Sequence, residues 1–405
     1  MRYCLIGERL PYSFSKVVHN LMGLDFSLNE LNINELPAFV KGGEYNGFNV
    51  TIPYKTEIIK YLDGVDPLAK EIGAVNTVVN KNGKLYGYNT DIFGMELSFD
   101  KMGVSLKDKV VLILGTGGTS KTANTLCKKL GASKVYKVSR SGEINYDNCY
   151  DIDGVEVIIN TTPVGTYPNN FDRAVDLEKF PNLKAVFDVV YNPIKSSLVL
   201  QAESLNIPCL GGLYMLVSQA IGAESLWLGK DIDRKVIDKI YGDILKEKQN
   251  VVLEGMPSSG KSSIGIELSK RLNKTFIDTD LLIEEKTGKK PSEIICESGE
   301  STFREIESEV VKQASKNNSC IIALGGGVPL REENRKALKQ NGIIVYIKRD
   351  LALLVSDDRP ISQKEGVKAL YEKRKDIYEN FADFIVENNG DIDSAIKEIE
   401  NLWKY

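Results

Sequence analysis

The sequence predicts an α/β protein of more than one domain, with largely parallel sheets. Three observations carry that expectation. Short apolar, β-branched runs alternate with helical periodicity almost throughout, the pattern of strands buried between helical layers. Twice, at residues 112–123 and 253–263, a glycine-rich turn joins such a run to a helical stretch. Finally, 405 residues exceed what one ordinary hydrophobic core encloses.

Residues 1–92 hold the strand candidates YCLIG, FSLNELNI and GFNVTI. NTVVNKNGKLYGYN follows and reads as a hairpin turning at Asn82-Gly83. From Lys109 a new βαβ unit begins: strand KVVLIL, a glycine turn, helix SKTANTLCKKLG and strand KVYKVS. VEVIINTT, AVFDVV and IPCL extend its sheet, and a helical pair runs from about Leu213 to Lys248. NVVLEG then restarts the strand–loop–helix pattern without a Pro- or Ser-rich linker. The expected domains are 1–92, 93–215 and 249–405, with the helices of 216–245 packing back on the first.

Composition narrows the function. The chain is 42% hydrophobic and 27% charged, as in soluble globular proteins. A formal charge of −4 and no long basic stripe give no general attraction to nucleic acid. The opening MRYCLIGERLPYS lacks the regions of a signal peptide, and no uncharged apolar run nears the ~20 residues that span a bilayer. Six scattered cysteines without metal spacing are expected to be reduced, buried thiols, which suits the cytoplasm. A single histidine, His19, excludes histidine triads and multi-histidine metal sites. Oligomeric state is left open.

The first glycine loop, LILGTGGTSKTA, places Gly115, Gly117 and Gly118 between a buried strand and a helix. Glycines there permit a tight turn and close backbone approach to a pyrophosphate, which the helix N-terminus attracts. The next strand ends in Ser139-Arg140 where an NAD site usually has Asp or Glu. Arginine there suits a 2′-phosphate, so NADP is expected. Ser13, Ser15, Asn49, Thr51, Lys55, Asn76, Asn89, Thr90 and Asp91 add hydroxyls, amides, one cation and one carboxylate. That set suits a small polyhydroxylated acid, although each residue read singly is equally a turn or cap residue.

SFSKVVHN, GFNVTIPYK, GAVNTV, GYNTD, GTGGTSKTA, INTTPVG and GGLYMLVSQA occur in that order. The series resembles shikimate dehydrogenase over residues 1 to about 245. The resemblance implies a Rossmann-type NADP domain beside a substrate domain, and NADPH-dependent reduction of 3-dehydroshikimate to shikimate. It implies Lys55 and Asp91 as the catalytic pair. Ser13, Ser15, Thr51, Asn76, Tyr191 and Gln219 would hold substrate. Gly115, Thr116, Gly117, Gly118, Thr119, Ser139, Arg140 and Gly212 would hold the cofactor. A lysine near its reference pKa of ~10.4 is already a proton donor at neutral pH, and a neighbouring carboxylate keeps it charged. The sequence departs from the family at Tyr12, often His, at Lys16, often Pro, and at Ser139, often Asn.

The second loop, GMPSSGKSS, matches GxxxxGK[ST] in full at Gly255, Gly260, Lys261 and Ser262, with Ser258, Ser259 and Ser263 beside them. Its backbone N–H groups would cradle triphosphate oxygens, the lysine would meet β and γ oxygens, and Ser262 would bind Mg²⁺. FIDTDLLIEEKTG, GESTFREIE, ALGGGVPL, DDRPI and EKRKDIY follow. Singly, these are equally caps, turns and surface arginines. Together they resemble shikimate kinase over residues 250–405, a P-loop fold using ATP and Mg²⁺. The resemblance implies shikimate held by Asp280, Arg304, Arg374 and Gly325, Gly326 and Gly327. Arg359 would come from a lid toward the transferring phosphoryl group, and Asp278 would help hold Mg²⁺. The segment LALLVSDDRPISQKEG is shorter than the usual lid. Rival expectations are quinate or NAD in the first half, another small alcohol in the second, or one half as a silent regulatory module.

Overall fold

The structure is a computed structural model that describes residues 2–10, 13–354 and 366–402. The chain divides into two compact units, Met1–Ile244 and Leu245–Tyr405.

The first unit holds two sheets. One comprises β1 (Tyr3–Gly7), β2 (Phe26–Glu30), β3 (Gly47–Val50), β4 (Gly64–Val65), β5 (Thr77–Lys81) and β6 (Lys84–Tyr88), in the order β2-β1-β3-β5-β6-β4. Its β3–β5 and β5–β6 pairs are antiparallel, so this sheet is mixed. The β5–β6 hairpin turns where expected. Asn82 (φ 55°) and Gly83 (φ 84°) both take the left-handed conformation that a two-residue hairpin loop requires.

The second sheet comprises β7 (Val110–Leu114), β8 (Lys134–Val138), β9 (Val157–Asn160), β10 (Ala185–Asp188) and β11 (Cys209–Leu210), all parallel, in the order β11-β10-β9-β7-β8. Its inner strands β7, β9 and β10 read as largely apolar runs because both faces are covered, whereas edge strand β8 exposes Lys134 and Lys137. Val111, Ile113 and Ile159 point into one core cluster, while Leu112, Leu114 and Ile158 point into another. The helix after β7 runs Gly118–Lys129, two residues earlier than the sequence pattern suggests, because Gly117 itself is the N-cap.

Helix Asp91–Met102 leads from the first sheet toward the second, and helix Leu213–Leu228 packs along it. Gly94 makes the approach possible: a β-carbon there would lie 2.6 Å from the Met215 carbonyl oxygen. Helix Arg234–Lys248 follows, and its Tyr241 ring meets Tyr214 edge-on at 5.2 Å.

The second unit has one parallel sheet of β12 (Asn250–Glu254), β13 (Thr275–Asp278), β14 (Cys320–Ala323), β15 (Gly342–Lys348) and β16 (Phe384–Glu387), in the order β13-β14-β12-β15-β16. Val251, Leu253 and Val345 enter one core cluster, Val252, Ile322 and Ile344 the other. Only Gln249 separates helix Arg234–Lys248 from β12. Helix Pro291–Ala314 is kinked at Gly299, whose φ of 84° lies outside helical geometry.

The expectation of uniformly buried thiols is corrected. All six cysteines are free, but Cys296 is exposed and Cys209 is half-buried. Cys296 sits in the first turns of the kinked helix, two residues after buried Ile294, on the side turned to solvent. No described helix is long and apolar enough to cross a membrane.

Candidate functional site

The two units carry separate sites. In the first, a cavity of about 300 Å³ opens between the mixed sheet and the N-terminus of helix Gly118–Lys129. Lys55, Asp91, Ser13, Ser15, Thr51, Asn76, Tyr191 and Gln219 all line it, with Thr119 and Gly212 from the cofactor set. Lys55 stands just beyond β3, and Asp91 opens the helix that follows β6. The two meet because β3 and β6 flank β5 in one sheet.

Lys55 Nζ donates to Asp91 Oδ2 at 2.6 Å, with the lysine side chain 15% and the aspartate 8% exposed. Asp91 Oδ1 accepts from Asn76 Nδ2 at 2.8 Å, so both carboxylate oxygens are held. Asn76 Nδ2 also faces Thr90 Oγ1 and Gln219 Oε1. A lysine fixed in this way presents its remaining N–H bonds to the cavity. Burial pushes the Tyr191 hydroxyl up to about 12, so it enters the cavity as a neutral donor. Its ring packs against Phe14 at 5.5 Å.

The cofactor loop borders this cavity. A β-carbon on Gly118 would lie 3.9 Å from Lys55 Cδ, while one on Gly117 would meet nothing within 4 Å. The loop backbone is therefore open in front of a helix N-terminus, as a dinucleotide pyrophosphate requires. Gly115 (φ 103°) turns the chain against Thr161 and Thr162. Arg140 is exposed just past the end of β8, beside Ser139, whose N–H donates to the Ile144 carbonyl.

Sequence reasoning missed Arg9, which lines the cavity. Asn49 and Met215 also line the cavity. Asn89 does not, because its amide is turned onto Ala74 O and Ile92 N.

In the second unit, β12 ends in Glu254 and the phosphate loop turns through Gly255 (φ 141°), Ser258 (φ 66°) and Gly260 (φ 97°) into helix Lys261–Leu272. Lys261 Nζ donates to the carbonyls of Gly255 and Met256 at 3.1 and 2.8 Å. The lysine thus folds back under its own loop. Asn388 Nδ2 braces the loop by donating to Ser259 O. Ser259 Oγ is buried with no partner among the described residues. Ser262 Oγ donates to Asp278 Oδ2 at 2.7 Å. Asp278 Oδ1 caps the next helix by accepting from the Asp280 N–H. No group of three or more His, Cys, Asp or Glu side chains among the described residues has metal-binding geometry. Ser262 and Asp278 supply two oxygens, which is what Mg²⁺ takes from a protein when phosphates and water fill its other positions.

The acceptor side lies against this loop. A β-carbon on Gly326 would lie 3.0 Å from Pro257 of the phosphate loop. One on Gly325 would meet Asp280 Oδ1 at 2.6 Å, and one on Gly327 would overlap the Arg304 guanidinium. Arg374 Nη1 and the Tyr378 hydroxyl both donate to Gly326 O, at 2.9 and 2.5 Å. Asp280, Arg304, Arg374 and the glycine turn are thus brought together.

Arg304 is not free. Its Nη1 donates to both carboxylate oxygens of Glu307, at 2.9 and 2.8 Å, and its Nη2 donates to Glu300 at 3.0 Å. Burial raises the Glu307 carboxyl above its ordinary range, against the pull of Arg304. Glu307 escaped the sequence reading, although its spacing of three from Arg304 on a helix would have found it. Arg349 was also missed; its Nε is buried without a partner among the described residues, near Gly260. Arg359 lies outside the described residues.

Two family models match the chain. The shikimate dehydrogenase substrate binding domain covers residues 5–78 and shikimate kinase covers residues 257–403. A shikimate dehydrogenase (NADP(+)) of Clostridium beijerinckii is 35% identical over 260 residues, 59% of this chain and 96% of that protein. Among solved structures, a chorismate mutase/shikimate 5-dehydrogenase fusion from Clostridium acetobutylicum is 33% identical with a TM-score of 0.58, covering 61% of this chain and 97% of that one. A shikimate 5-dehydrogenase from Thermus thermophilus, in complex with NADP(H) and shikimate, is 26% identical with a TM-score of 0.54, covering 60% and 98%.

Proposed function

We propose roles for individual residues from the premise that the chain belongs to the shikimate dehydrogenase family and carries a shikimate kinase domain after it. It is a bifunctional enzyme of the shikimate pathway. It reduces 3-dehydroshikimate to shikimate with NADPH, then phosphorylates shikimate to shikimate 3-phosphate with ATP and Mg²⁺.

In the first step Lys55 is the proton donor. NADPH, when bound, supplies hydride to the C3 carbonyl carbon, and the oxygen left with the electron pair needs a proton. Lys55 holds one at the cavity wall, and its bond to Asp91 keeps it aimed. Ser13, Ser15, Thr51, Tyr191 and Gln219 orient the acid's hydroxyls and carboxylate, and Arg9 at the cavity rim adds a second cation. Gly115 to Thr119 cradle the pyrophosphate, and Gly212, which lines the cavity, adjoins the cofactor. Ser139 and Arg140 read the 2′-phosphate. The observation that carries this half is the Lys55–Asp91 pair at 2.6 Å inside the cavity, with the cofactor helix at its edge.

In the second step Asp280 accepts the proton of the attacking 3-hydroxyl. ATP bound with Mg²⁺ supplies the phosphoryl group. The loop N–H groups of Gly255 to Ser263 hold its phosphates, and Lys261 exchanges its two carbonyl partners for phosphate oxygens. Ser262 and Asp278 attend to Mg²⁺. Arg304, Arg374 and the Gly325–Gly327 turn hold the acceptor, and the family resemblance gives Arg359, outside the described residues, a role at the transferring phosphoryl group. Free thiols fit the reducing cytoplasm, which we assign as the compartment.

Separate assays test the two halves: NADPH oxidation with 3-dehydroshikimate, and ADP release with shikimate. Each is expected to proceed without the other step's reagents. A chain active with quinate or NADH but not with 3-dehydroshikimate and NADPH would overturn the first assignment. ADP release with another hydroxy acid but not shikimate would overturn the second.

A further inference from the structure

The chain's single histidine lies in the first unit with no contact to the cavity, yet it is tied to the residues that line it. His19 is 0% exposed, on helix Ser15–Leu21. Its Nδ1 lies 2.6 Å from Glu224 Oε1, itself 1% exposed on helix Leu213–Leu228. Its Nε2 lies 3.2 Å from Asn49 Oδ1.

The orientation of the Asn49 amide decides what His19 must be. Asn49 Nδ2 has two acceptors, Asn76 O at 3.2 Å and Thr77 Oγ1 at 3.0 Å. Turning the amide over would set its oxygen against the Asn76 carbonyl and lose that bond. Oδ1 therefore faces His19, and Nε2 must carry a hydrogen. Opposite it, Nδ1 faces a Glu224 oxygen, and with that carboxylate ionised Nδ1 carries one too. An imidazole with two N–H donors is an imidazolium. Buried beside Glu224, the two form a net-neutral pair. Removing either charge would leave the other uncompensated. Phe26 stacks on the imidazole at 4.0 Å, and Trp227 lies tilted at 5.4 Å. Tyr3, whose hydroxyl is raised by burial and then by Glu224, is the other titratable group facing the pair among the described residues.

From Asn49 the bonds run on to the reacting pair. Thr77 Oγ1 meets Asn76 Oδ1 and Thr90 Oγ1, at 3.2 and 3.0 Å. Asn76 Nδ2 holds Asp91, and Asp91 holds Lys55. We propose that His19 and Glu224 form a buried imidazolium–carboxylate dyad that fixes the Asn49 amide and, through Asn76 and Thr77, positions the Lys55–Asp91 pair for ketone reduction. Both are positioning residues that touch neither substrate nor cofactor. The proposal rests on the reductase reading of the first unit.

Two arms test it in the full chain. Because there is one histidine, ¹⁵N-histidine labelling gives one imidazole by NMR, whatever the chain's activity. Protons on both ring nitrogens at pH 7 are expected in the wild type and loss of the Nδ1 proton in Glu224→Gln. An Nδ1 without its proton in the wild type overturns the dyad. In the kinetic arm, His19→Phe removes both donors at similar volume. Its kcat for 3-dehydroshikimate is expected to fall about ten-fold or more, the loss of one charge-assisted hydrogen bond. KM for NADPH is expected to hold. His19→Gln, which keeps one N–H for Asn49, is expected to recover part of kcat. NADP⁺-binding capacity of the same samples measures folded first unit. A His19→Phe kcat that falls no further than that capacity makes the role merely structural and overturns the proposal. If His19→Phe does not fold, His19→Gln and Glu224→Gln carry the comparison. Their kcat values at wild-type level would also overturn it. A wild type that does not reduce 3-dehydroshikimate defeats the functional reading instead, and the NMR arm still decides the dyad.

Discussion

The two units solve opposite electrostatic problems. In the reductase site the reacting charges already have their partners. Lys55 has Asp91, Asp91 has Asn76, and further back His19 has Glu224. In the kinase site the cations rest on backbone carbonyls and on glutamates outside the reacting set. Lys261 rests on two backbone carbonyls, Arg304 on Glu307 and Glu300, and Ser259 Oγ on nothing among the described residues. Chemistry explains the difference. Ketone reduction moves one proton onto one oxygen, so a single donor set in advance suffices. Phosphoryl transfer must neutralise several charges that arrive with the nucleotide.

The largest expected effect tests the separation itself. Lys55→Ala should lower reductase kcat by ~10²–10⁴-fold and leave phosphorylation of added shikimate unchanged. Lys261→Ala should abolish phosphorylation and leave NADPH oxidation unchanged. Either variant that damages both activities would show that the two sites do not work as separate systems.

Next in size is Arg304→Lys. An ammonium cannot keep Glu307 and Glu300 while also serving a carboxylate. KM for shikimate should rise about ten- to hundred-fold, the worth of a lost charged hydrogen bond. A wild-type KM would remove Arg304 from substrate binding and leave it as the counter-ion of Glu307.

A smaller change is expected at Arg140→Ala. The ratio of kcat/KM for NADPH over NADH should fall about ten-fold, mostly through KM for NADPH. An unchanged ratio would place 2′-phosphate recognition elsewhere.

The smallest effect concerns stability. Glu254 lies at the end of β12, fully buried, with neither carboxylate oxygen bonded among the described residues. Burial raises its carboxyl from 4.5 to about 9, against the nearby charges of Lys261 and Lys339. A raised folded-state pKa means that stability is fully present below the unfolded value and is lost as pH rises toward the folded one. Loss of kinase activity on heating should therefore come at lower temperature at pH 8 than at pH 5. Glu254→Gln should flatten that slope and raise Tm at pH 8 by several degrees. A slope unchanged in the variant would show Glu254 to be ionised and solvated in the folded chain.

Much of both sites was legible in sequence, for different reasons. The phosphate loop could be read because its glycines are local requirements: Gly255 and Gly260 take left-handed backbone, and β-carbons there would strike Ile347 O and Asn388 Nδ2. Lys55 and Asp91 stood out as a cation and a carboxylate at strand ends. What escaped was relational. Glu224 lies 205 residues from His19, and nothing in either neighbourhood announces the other. Glu307 acts by holding Arg304, not through a motif of its own. Arg9 and Arg349 acquire meaning only from the cavity and the loop beside them. The cysteine reading failed at Cys296 because apolar composition does not reveal which face of a helix turns outward.

The central claim is that the hydroxyl made by the first unit is the one phosphorylated by the second. The direct test incubates the full chain with 3-dehydroshikimate, ATP, Mg²⁺ and NADPH deuterated at the transferred position. The product is then examined by mass and NMR. The account predicts shikimate 3-phosphate with deuterium on the carbon that bears the phosphate ester. Deuterium on one carbon and phosphate on the oxygen of another, or unphosphorylated deuterated shikimate as the end product, would contradict it.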